Sequence, residues 1–158
     1  MTPAQPPRLE AVGEDAAVLL ADIHALAFDT PWTEEQLARS LDGPGAYAIM
    51  AWTGEHPAGF VIGRAMAGEA EIITIAVRPE HRRQGLGRIL MDAAIATALA
   101  FDAAVMFLEA ALDNEAAVAL YVSMGFEAAG RRKQYYARGD GPRIDALIMR
   151  RELNTGAC

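Results

Sequence analysis

The sequence has little cysteine, little histidine and no long hydrophobic run. Its one cysteine, Cys158, ends the chain of 158 residues, so no internal disulfide can form, and we interpret this residue as part of a frayed tail. The three histidines lie far apart and form no metal-binding motif, which predicts a protein without a bound metal. No apolar run approaches the ~18 residues that a membrane-spanning helix requires, so we expect no membrane association.

Basic residues are also in deficit. The chain has 14 lysines and arginines against 21 aspartates and glutamates, and its formal net charge is −7. This balance argues against a general nucleic-acid-binding protein, which needs a basic face to displace counterions from phosphate. An acidic surface instead favours cationic partners.

The length and composition fit a single globular domain. With 53% hydrophobic and 22% charged residues, the chain is not of the disordered or fibrous class. The proline-rich N-terminus has neither the basic start nor the apolar segment of a secretory signal, which predicts a cytoplasmic protein. We expect flexible tails at residues 1–7 and 152–158 around one domain spanning residues 8–151.

Hydrophobic periodicity and turn residues predict the order of helices and strands. Strands are expected at residues 8–12, 47–52, 59–64, 71–77, 104–110, 127–131 and 144–150, the last two joined by a tyrosine-rich connection, and helices at 14–28, after Thr33, at 85–101 and at 115–124. Thr33 and Gln36 fit a capping box. This order indicates an α+β fold, a mixed sheet with helices on both faces.

Two helices have apolar residues at helical spacing, which predicts their buried faces. In the first helix these residues are Val18, Leu19, Ile23 and Leu26. In the third they are Leu86, Leu90, Ala94 and Ala98.

A basic, glycine-rich segment joins a predicted strand to the third predicted helix. It reads Arg82-Arg83-Gln84-Gly85-Leu86-Gly87-Arg88. Glycines let the backbone approach a ligand closely, and a helix N-terminus offers N–H groups to an anion, so the segment is able to cradle a pyrophosphate. Taken alone, however, a Gly-x-Gly pair is more often a solvated turn, and this one matches neither the Walker A nor the Rossmann motif.

The neighbouring motifs narrow the interpretation to a family. Ile75-Ala76-Val77, followed by the glycine-rich segment and its helix, resembles motif A of the GCN5-related N-acetyltransferases (GNAT), which bind acetyl-CoA. The segments Leu108-Glu109, Asn114-Glu115-Ala116-Ala117 and Leu120-Tyr121-x-x-Met124-Gly125-Phe126 resemble the branch that acetylates protein N-termini.

Three further segments are similar to the RimI-type ribosomal-protein alanine N-acetyltransferases of that branch. They are Pro31-Trp32-Thr33-Glu34, Arg131-Arg132-x-x-Tyr135-Tyr136 and Asp145-Ala146-Leu147-Ile148-Met149. The resemblance extends from Asp22 to Arg150, which is nearly the whole chain.

The resemblance implies a GNAT fold, in which a twisted, mostly antiparallel sheet of about six to seven strands has a splayed central parallel pair and helices on both faces. The pantetheine arm of acetyl-CoA would lie between the splayed strands, and the Val77 N–H would polarise the thioester carbonyl. The implied cofactor-binding residues are Ile75, Ala76, Val77, Arg82, Arg83, Gln84, Gly85, Leu86, Gly87, Arg88 and Asn114. For Asn114, a helix N-cap is an equally good interpretation.

The same resemblance implies two catalytic residues. Glu109 would act as general base, directly or through a water, and Tyr121, with an ordinary pKa of about 10, would protonate the leaving thiolate. The purely structural alternatives are a surface carboxylate for Glu109 and an aromatic packed on the sheet for Tyr121. An N-terminal amine, with a pKa of about 8, requires a weaker base than a lysine amine at about 10.4.

Trp32, Tyr135 and Tyr136 are implied as walls of the acceptor groove, although hinge or core aromatics have the same sequence pattern. One departure bears on this groove. Members of the branch carry Leu-Glu-Val-Arg where this chain has Leu108-Glu109-Ala110-Ala111, so a basic residue beside Glu109 is missing. The departure concerns peptide specificity more than acetyl transfer itself.

The sequence therefore leads to the hypothesis of an acetyl-CoA-dependent acetyltransferase acting on a protein N-terminal amine. The expected partner is a basic, alanine-starting ribosomal protein. Acetylation of a lysine or of a small-molecule amine is an alternative within the same fold, and a non-catalytic acetyl-CoA-binding module is another. The presence of both Glu109 and Tyr121 favours an enzyme.

Overall fold

The structure, a computed structural model, describes residues 6–136 and 140–153. Its strands are β1 (Arg8–Val12), β2 (Ala46–Thr53), β3 (His56–Met66), β4 (Glu69–Val77), β5 (Val105–Ala111), β6 (Glu127–Tyr136) and β7 (Ile144–Glu152). Its α-helices are α1 (Ala17–Ala27), α2 (Glu34–Ser40), α3 (Leu86–Ala100) and α4 (Glu115–Ser123), and single 3-10 turns lie at Glu14–Ala16 and Pro79–His81.

The seven strands form one sheet in the order β1-β2-β3-β4-β5-β7-β6. Five of the six pairings are antiparallel, and β4 with β5 is the parallel pair. A parallel pair needs a crossover connection, which α3 supplies between β4 and β5. The mixed sheet with a central parallel pair confirms the expected fold class.

The parallel pair separates soon after it begins. The ladder joins residues 69–71 of β4 to residues 105–107 of β5, and within the described part of the chain it goes no further. Residues 72–77 and 108–111 therefore diverge, and they leave a wedge in the middle of the sheet. This is the splay that the family resemblance implies.

Buried side chains form one cluster on each face of the sheet. Successive residues of β3 divide between them, because side chains along a strand alternate in direction. Val61 packs with side chains of α3 and α4, whereas Phe60 and Ile62 pack with those of α1 and α2. Helices thus cover both faces, as predicted.

The prediction for the buried face of α1 is confirmed for Ile23 and wrong for the other three residues. Val18, Leu19 and Leu26 are 53%, 37% and 52% exposed, and the helix instead buries Ala17, Leu20, Ile23 and His24. Nearly every position of this helix is apolar, so several stripes at helical spacing fit the sequence equally well. In α3, by contrast, Leu86, Leu90, Ala94 and Ala98 are all buried as predicted.

The ends of two strands also differ from the expectation. Tyr135 and Tyr136 belong to β6 and not to a connection, because the strand continues through a bulge between Arg132 and Tyr136. Strand β7 continues to Glu152, and Leu153 is buried in the core, although residues 152–158 were expected to form a tail. Residues 1–5 and 154–158, including Cys158, lie outside the described residues.

Candidate active site

The wedge between β4 and β5 exposes one side of the strand that carries Ile75, Ala76 and Val77. On its other side these residues pair with Val61, Phe60 and Gly59 of β3. Toward β5 they have no ladder partner among the described residues. Backbone groups that point into this gap are available to a ligand, which fits an extended arm carrying amide groups.

The glycine-rich segment wraps the start of α3 next to this strand. Arg83 and Gly85 have φ angles of 64° and 80°, in the left-handed region, so the chain turns sharply before the helix begins. The first N–H groups of a helix have no acceptor within it and carry a partial positive charge. Arg82, Arg83, Gln84 and Gly85 are exposed around these groups. The arrangement fits a diphosphate.

Other residues of the segment contact the rest of the protein and not the surface at the start of α3. The side chain of Leu86 is buried in the core, so only its backbone N–H is able to reach a ligand. A Cβ on Gly87 would lie 3.3 Å from Leu120, so glycine allows α3 and α4 to approach closely. The Arg88 guanidinium donates to the Ser123 hydroxyl at 2.7 Å and is turned toward α4.

Glu109 lies on β5 two residues beyond the last β4–β5 pair, at the opening of the wedge. Its side chain is 23% exposed, and its Oε1 is 2.7 Å from Nη2 of Arg132 on β6. A carboxylate that is partly shielded but still open to solvent is able to accept a proton from an incoming group.

Tyr121 lies on α4 and is only 6% exposed. Its ring makes an edge-on contact with Phe126, so the aromatic packing expected of a structural residue is present. Burial raises the pKa of Tyr121 to about 12, and Tyr136 adds to the shift. The phenol therefore keeps its proton at neutral pH, as a proton donor must.

Arg132 connects Glu109 with the predicted tyrosines. Its guanidinium lies 4.9 Å from the ring centre of Tyr135, and the Tyr135 and Tyr136 rings meet edge-on at 5.1 Å. Since Tyr136 also acts on the pKa of Tyr121, β6 connects the surroundings of both candidate catalytic residues. Tyr135 is 45% exposed, as a groove wall would be.

A family model described as Acetyltransferase (GNAT) family matches residues 17–126. The chain belongs to this acetyltransferase family. The [Ribosomal protein bS18]-alanine N-acetyltransferase of Escherichia coli (strain K12) is 39% identical over 119 residues, which cover 75% of this chain and 79% of that protein. N-alpha-acetyltransferase RimI of Mycobacterium tuberculosis is 34% identical over 154 residues, 94% of each chain.

Solved structures agree with the sequence relatives. The crystal structure of the ribosomal-protein-S18-alanine N-acetyltransferase from Escherichia coli matches with a TM-score of 0.88 and 30% identity, covering 96% of this chain and 97% of that one. The resemblance to RimI-type enzymes is therefore confirmed, and the chain is a GNAT acetyltransferase. Members of this family use acetyl-CoA as acetyl donor.

The backbone of Trp32 is linked to β4, which carries the expected cofactor-binding residues, through His24, a residue that the sequence did not single out. The Trp32 backbone N–H donates to Nδ1 of His24 at 3.0 Å, and Nε2 of His24 lies 3.2 Å from the Thr74 hydroxyl, one residue before Ile75. The His24 ring stacks with the rings of Phe28 and Trp32. Burial lowers the pKa of His24 to about 4, so the ring is neutral and donates its Nε2 proton to Thr74.

Asn114 caps α4, since its Oδ1 accepts from the Ala117 N–H at 3.2 Å. The N-cap interpretation is confirmed. Capping uses the side-chain oxygen alone. The amide NH2 group is therefore still available for the expected contact with the cofactor.

Asp145 is a second residue that the sequence did not single out for the site. Its Oδ1 accepts from the backbone N–H of Gln134 at 2.9 Å, and its Oδ2 lies 3.8 Å from Arg131. Gln134 has a φ of 52°, so this hydrogen bond supports the strained residue of the β6 bulge. Asp145 thereby fixes the strand that presents Arg132 and the two tyrosines.

An open acidic cleft of about 580 Å³ lies between the start of α1 and α2. Its lining includes Glu14, Glu34 and Glu35, and Thr33 beside Trp32. Across residues 6–136 and 140–153, no group of three or more potential metal ligands occurs. Over the same residues, no helix is long and apolar enough to cross a membrane.

Proposed function

We propose that this acetyltransferase transfers the acetyl group of acetyl-CoA to the N-terminal α-amine of a protein, with an alanine-starting ribosomal protein as its preferred acceptor. The observation that carries the proposal is the position of Glu109 at the opening of the wedge, where its partly exposed carboxylate is paired with Arg132. The Escherichia coli relative, which acts on an alanine of ribosomal protein bS18 according to its name, supports the acceptor class.

The proposed reaction needs one proton acceptor and one proton donor. Glu109 takes the proton of the α-ammonium group, directly or through a water, and the neutral nitrogen forms a C–N bond to the acetyl carbonyl carbon. The Val77 N–H stabilises the negative charge that develops on the carbonyl oxygen. The C–S bond breaks, and Tyr121 gives its proton to the departing sulfur. The nitrogen loses its second proton to solvent as the amide forms, and the acetylated amine and CoA leave. Glu109 then releases the proton that it took, and solvent restores the proton of Tyr121.

The pKa of the acceptor favours an N-terminal amine over a lysine. An α-amine with a pKa of about 8 is already about one-tenth neutral at pH 7, whereas a lysine amine at about 10.4 is neutral roughly 250 times less often. A partly exposed carboxylate such as Glu109 is a sufficient base for the first case.

The acidic cleft supports a basic acceptor. Glu14, Glu34 and Glu35 line this cleft together with Thr33, which follows the proposed groove wall Trp32 in the chain, and the whole chain has a net charge of −7. Complementary charge speeds the encounter with a cationic peptide and disfavours an acidic one. The rate of association with a basic peptide should therefore fall as salt is added.

The test uses two peptides of matched basic sequence and a small polyamine as acceptors. One is an alanine-starting peptide with a free N-terminus, the second has a blocked N-terminus and one lysine, and the third is a small polyamine. CoA release and mass spectrometry of the products give the rate and the site of acetylation. We expect the free N-terminus to be acetylated at least about 10-fold faster than the lysine.

Two results contradict the proposal at different levels. Faster acetylation of the lysine or polyamine would contradict the proposed acceptor class, while the acetyltransferase activity would stand. Binding of acetyl-CoA in isothermal titration without acetylation of any amine would point to the non-catalytic module.

A further inference from the structure

We propose that Arg132 is a positioning residue that holds the Glu109 carboxylate ready to accept the proton of the incoming amine. The inference rests on the proposed function, since it assigns Glu109 the role of base. It adds a residue on β6, outside the wedge, to the machinery of acetyl transfer.

The contact between the two side chains is short and only partly shielded. Nη2 of Arg132 lies 2.7 Å from Oε1 of Glu109, and the side chains are 55% and 23% exposed. An ion pair so open to solvent stabilises a fold by at most about 1 kcal/mol. The pair therefore contributes little to the stability of the protein, and the role proposed for it is to orient the carboxylate.

The strand register explains how Arg132 reaches Glu109 across β7. Arg132 pairs with Ala146, which pairs with Ala111, so these three residues form one row across the sheet. The next row on the same face is Gly130, Ile148 and Glu109. Because Ala146 is small and Gly130 has no side chain, the Arg132 side chain has room to lie across β7 toward Glu109.

The guanidinium is held from a second side. It stacks on the ring of Tyr135 at 4.9 Å, and the intervening Gln134 is fixed in its bulge by Asp145. A cation that is fixed by an aromatic ring and a supported backbone loses less entropy when it holds a carboxylate. The bulge thus holds the Arg132 guanidinium in position before any substrate binds.

The same row contains Ala111, the position at which the sequence departs from the branch. At Ala111, two residues after Glu109 on β5, the sequence lacks the basic residue that members of the branch carry. Arg132 occupies the same cross-strand row and brings a positive charge to Glu109 from two strands away. The small Ala111 leaves this face of β5 open for it.

The first experiment separates positioning from other roles. Arg132→Ala should lower kcat for the peptide by about 10- to 100-fold and leave the KM for acetyl-CoA nearly unchanged. Arg132→Lys should restore part of the loss, since a shorter point charge still pairs with the carboxylate. Lys133→Ala, which removes the same charge from the next exposed residue, is the matched control and should behave like the wild type. Equal rates in Arg132→Ala and Lys133→Ala would overturn the proposal.

The second experiment asks whether Arg132 acts through Glu109. In a Glu109→Gln background, Arg132→Ala should cause little further loss of kcat, because residues that act as a unit are not additive. If the two losses multiply, Arg132 acts independently of Glu109 and the proposal is wrong. Should the wild type prefer lysine, the same cycle on that acceptor still decides the role of Arg132, while the proposed acceptor class fails.

A third measurement needs no acceptor at all. The ¹³C chemical shift of the Glu109 side-chain carboxyl should change in Arg132→Ala and remain the same in Lys133→Ala. An unchanged shift in Arg132→Ala would overturn the ion pair in solution, and with it the proposal, whatever the substrate of the enzyme is.

Discussion

Strands β2, β3 and β4 lie between helices and bury side chains on both faces, whereas β6, at the far end of the sheet, exposes all of its residues up to Tyr135. The first region holds the strand with Ile75, Ala76 and Val77. The second region holds Arg132, which pairs with Glu109, and the two tyrosines beside it. Packing thus fixes the strand expected to bind the cofactor, whereas the exposed end leaves Arg132 and Tyr135 accessible for the proposed chemistry and the proposed acceptor.

The largest expected difference between the two regions is in stability. Phe60 is fully buried in β3, so Phe60→Ala should lower the free energy of unfolding by about 3–5 kcal/mol. Tyr135 is 45% exposed on β6, so Tyr135→Ala should lower the free energy of unfolding by under about 1 kcal/mol. Urea denaturation of both variants measures the difference, and similar losses would show that the exposed region also stabilises the fold.

The next effect concerns activity at Glu109 of β5, which pairs with Arg132 of the exposed region. Glu109→Gln removes the proposed base and should lower kcat by about 100-fold or more, with little change in acetyl-CoA affinity. The free energy of unfolding should fall by under about 1 kcal/mol, because the ion pair with Arg132 is partly exposed. Steady-state kinetics and calorimetry separate these quantities. Glu127→Gln, an exposed carboxylate at the start of β6, is the control; full activity of Glu109→Gln across the pH range would remove Glu109 as base.

A pH effect is expected in the packed region. Burial lowers the pKa of His24 from 6.5 to about 4, so the unfolded chain takes up a proton first as the pH falls. Between pH 6.5 and 4 the folded state should lose about 2–3 kcal/mol of stability, while above pH 6.5 the group has no pH-dependent effect. Protonation of Nδ1 would also break the bond from the Trp32 N–H.

Urea denaturation at pH 7 and pH 4.5 measures how steeply the free energy of unfolding changes with pH. This change is called the slope below. In His24→Gln the slope should be flatter than in the wild type, whatever the absolute stability of the variant. His56→Gln, which changes an exposed histidine, should keep the wild-type slope. Identical slopes in all three proteins would mean that His24 is not neutral in the folded state.

The two regions also differ in how far the sequence predicts them. The helices and strands follow from local patterns, such as the capping box at Thr33 and the apolar stripe of α3, and these are confirmed. The buried face of α1 could not be derived, because the helix is apolar on nearly every side. It also buries the polar His24, whose two ring nitrogens both have hydrogen-bond partners. Local chemistry thus predicts elements better than it predicts which face is buried.

Contacts around Glu109 depend on the strand order. Arg132 and Glu109 are 23 residues apart and meet only because β7 inserts between β5 and β6 in a defined register. The motif around Arg132 was recognisable in the sequence, but its partner was not. The bulge at Gln134, which sets the direction of the tyrosines, depends in turn on Asp145 across the ladder.

A smaller effect on activity is expected at Tyr121. Tyr121→Phe keeps the ring that packs on Phe126 and removes the proton donor. Because a thiolate is a fairly good leaving group, with a thiol pKa of about 8.5, the loss of kcat should be near 10-fold and smaller than that of Glu109→Gln. Unfolding curves should barely move. Full kcat in Tyr121→Phe, measured beside the wild type, would leave this residue with a packing role alone.

The smallest effect concerns Asn114, where the capping and cofactor interpretations are separable because they use different atoms. Asn114→Ala removes the Oδ1 that accepts from the Ala117 N–H and should lower the free energy of unfolding by about 1 kcal/mol. Asn114→Asp keeps an oxygen in the capping position and should restore that stability, but it lacks the amide N–H donors. If acetyl-CoA affinity, measured by calorimetry, is lower in both variants while stability is lower only in Asn114→Ala, the amide contacts the cofactor. If affinity follows stability, Asn114 belongs to the scaffold, and the cofactor contacts are confined to the wedge and the start of α3.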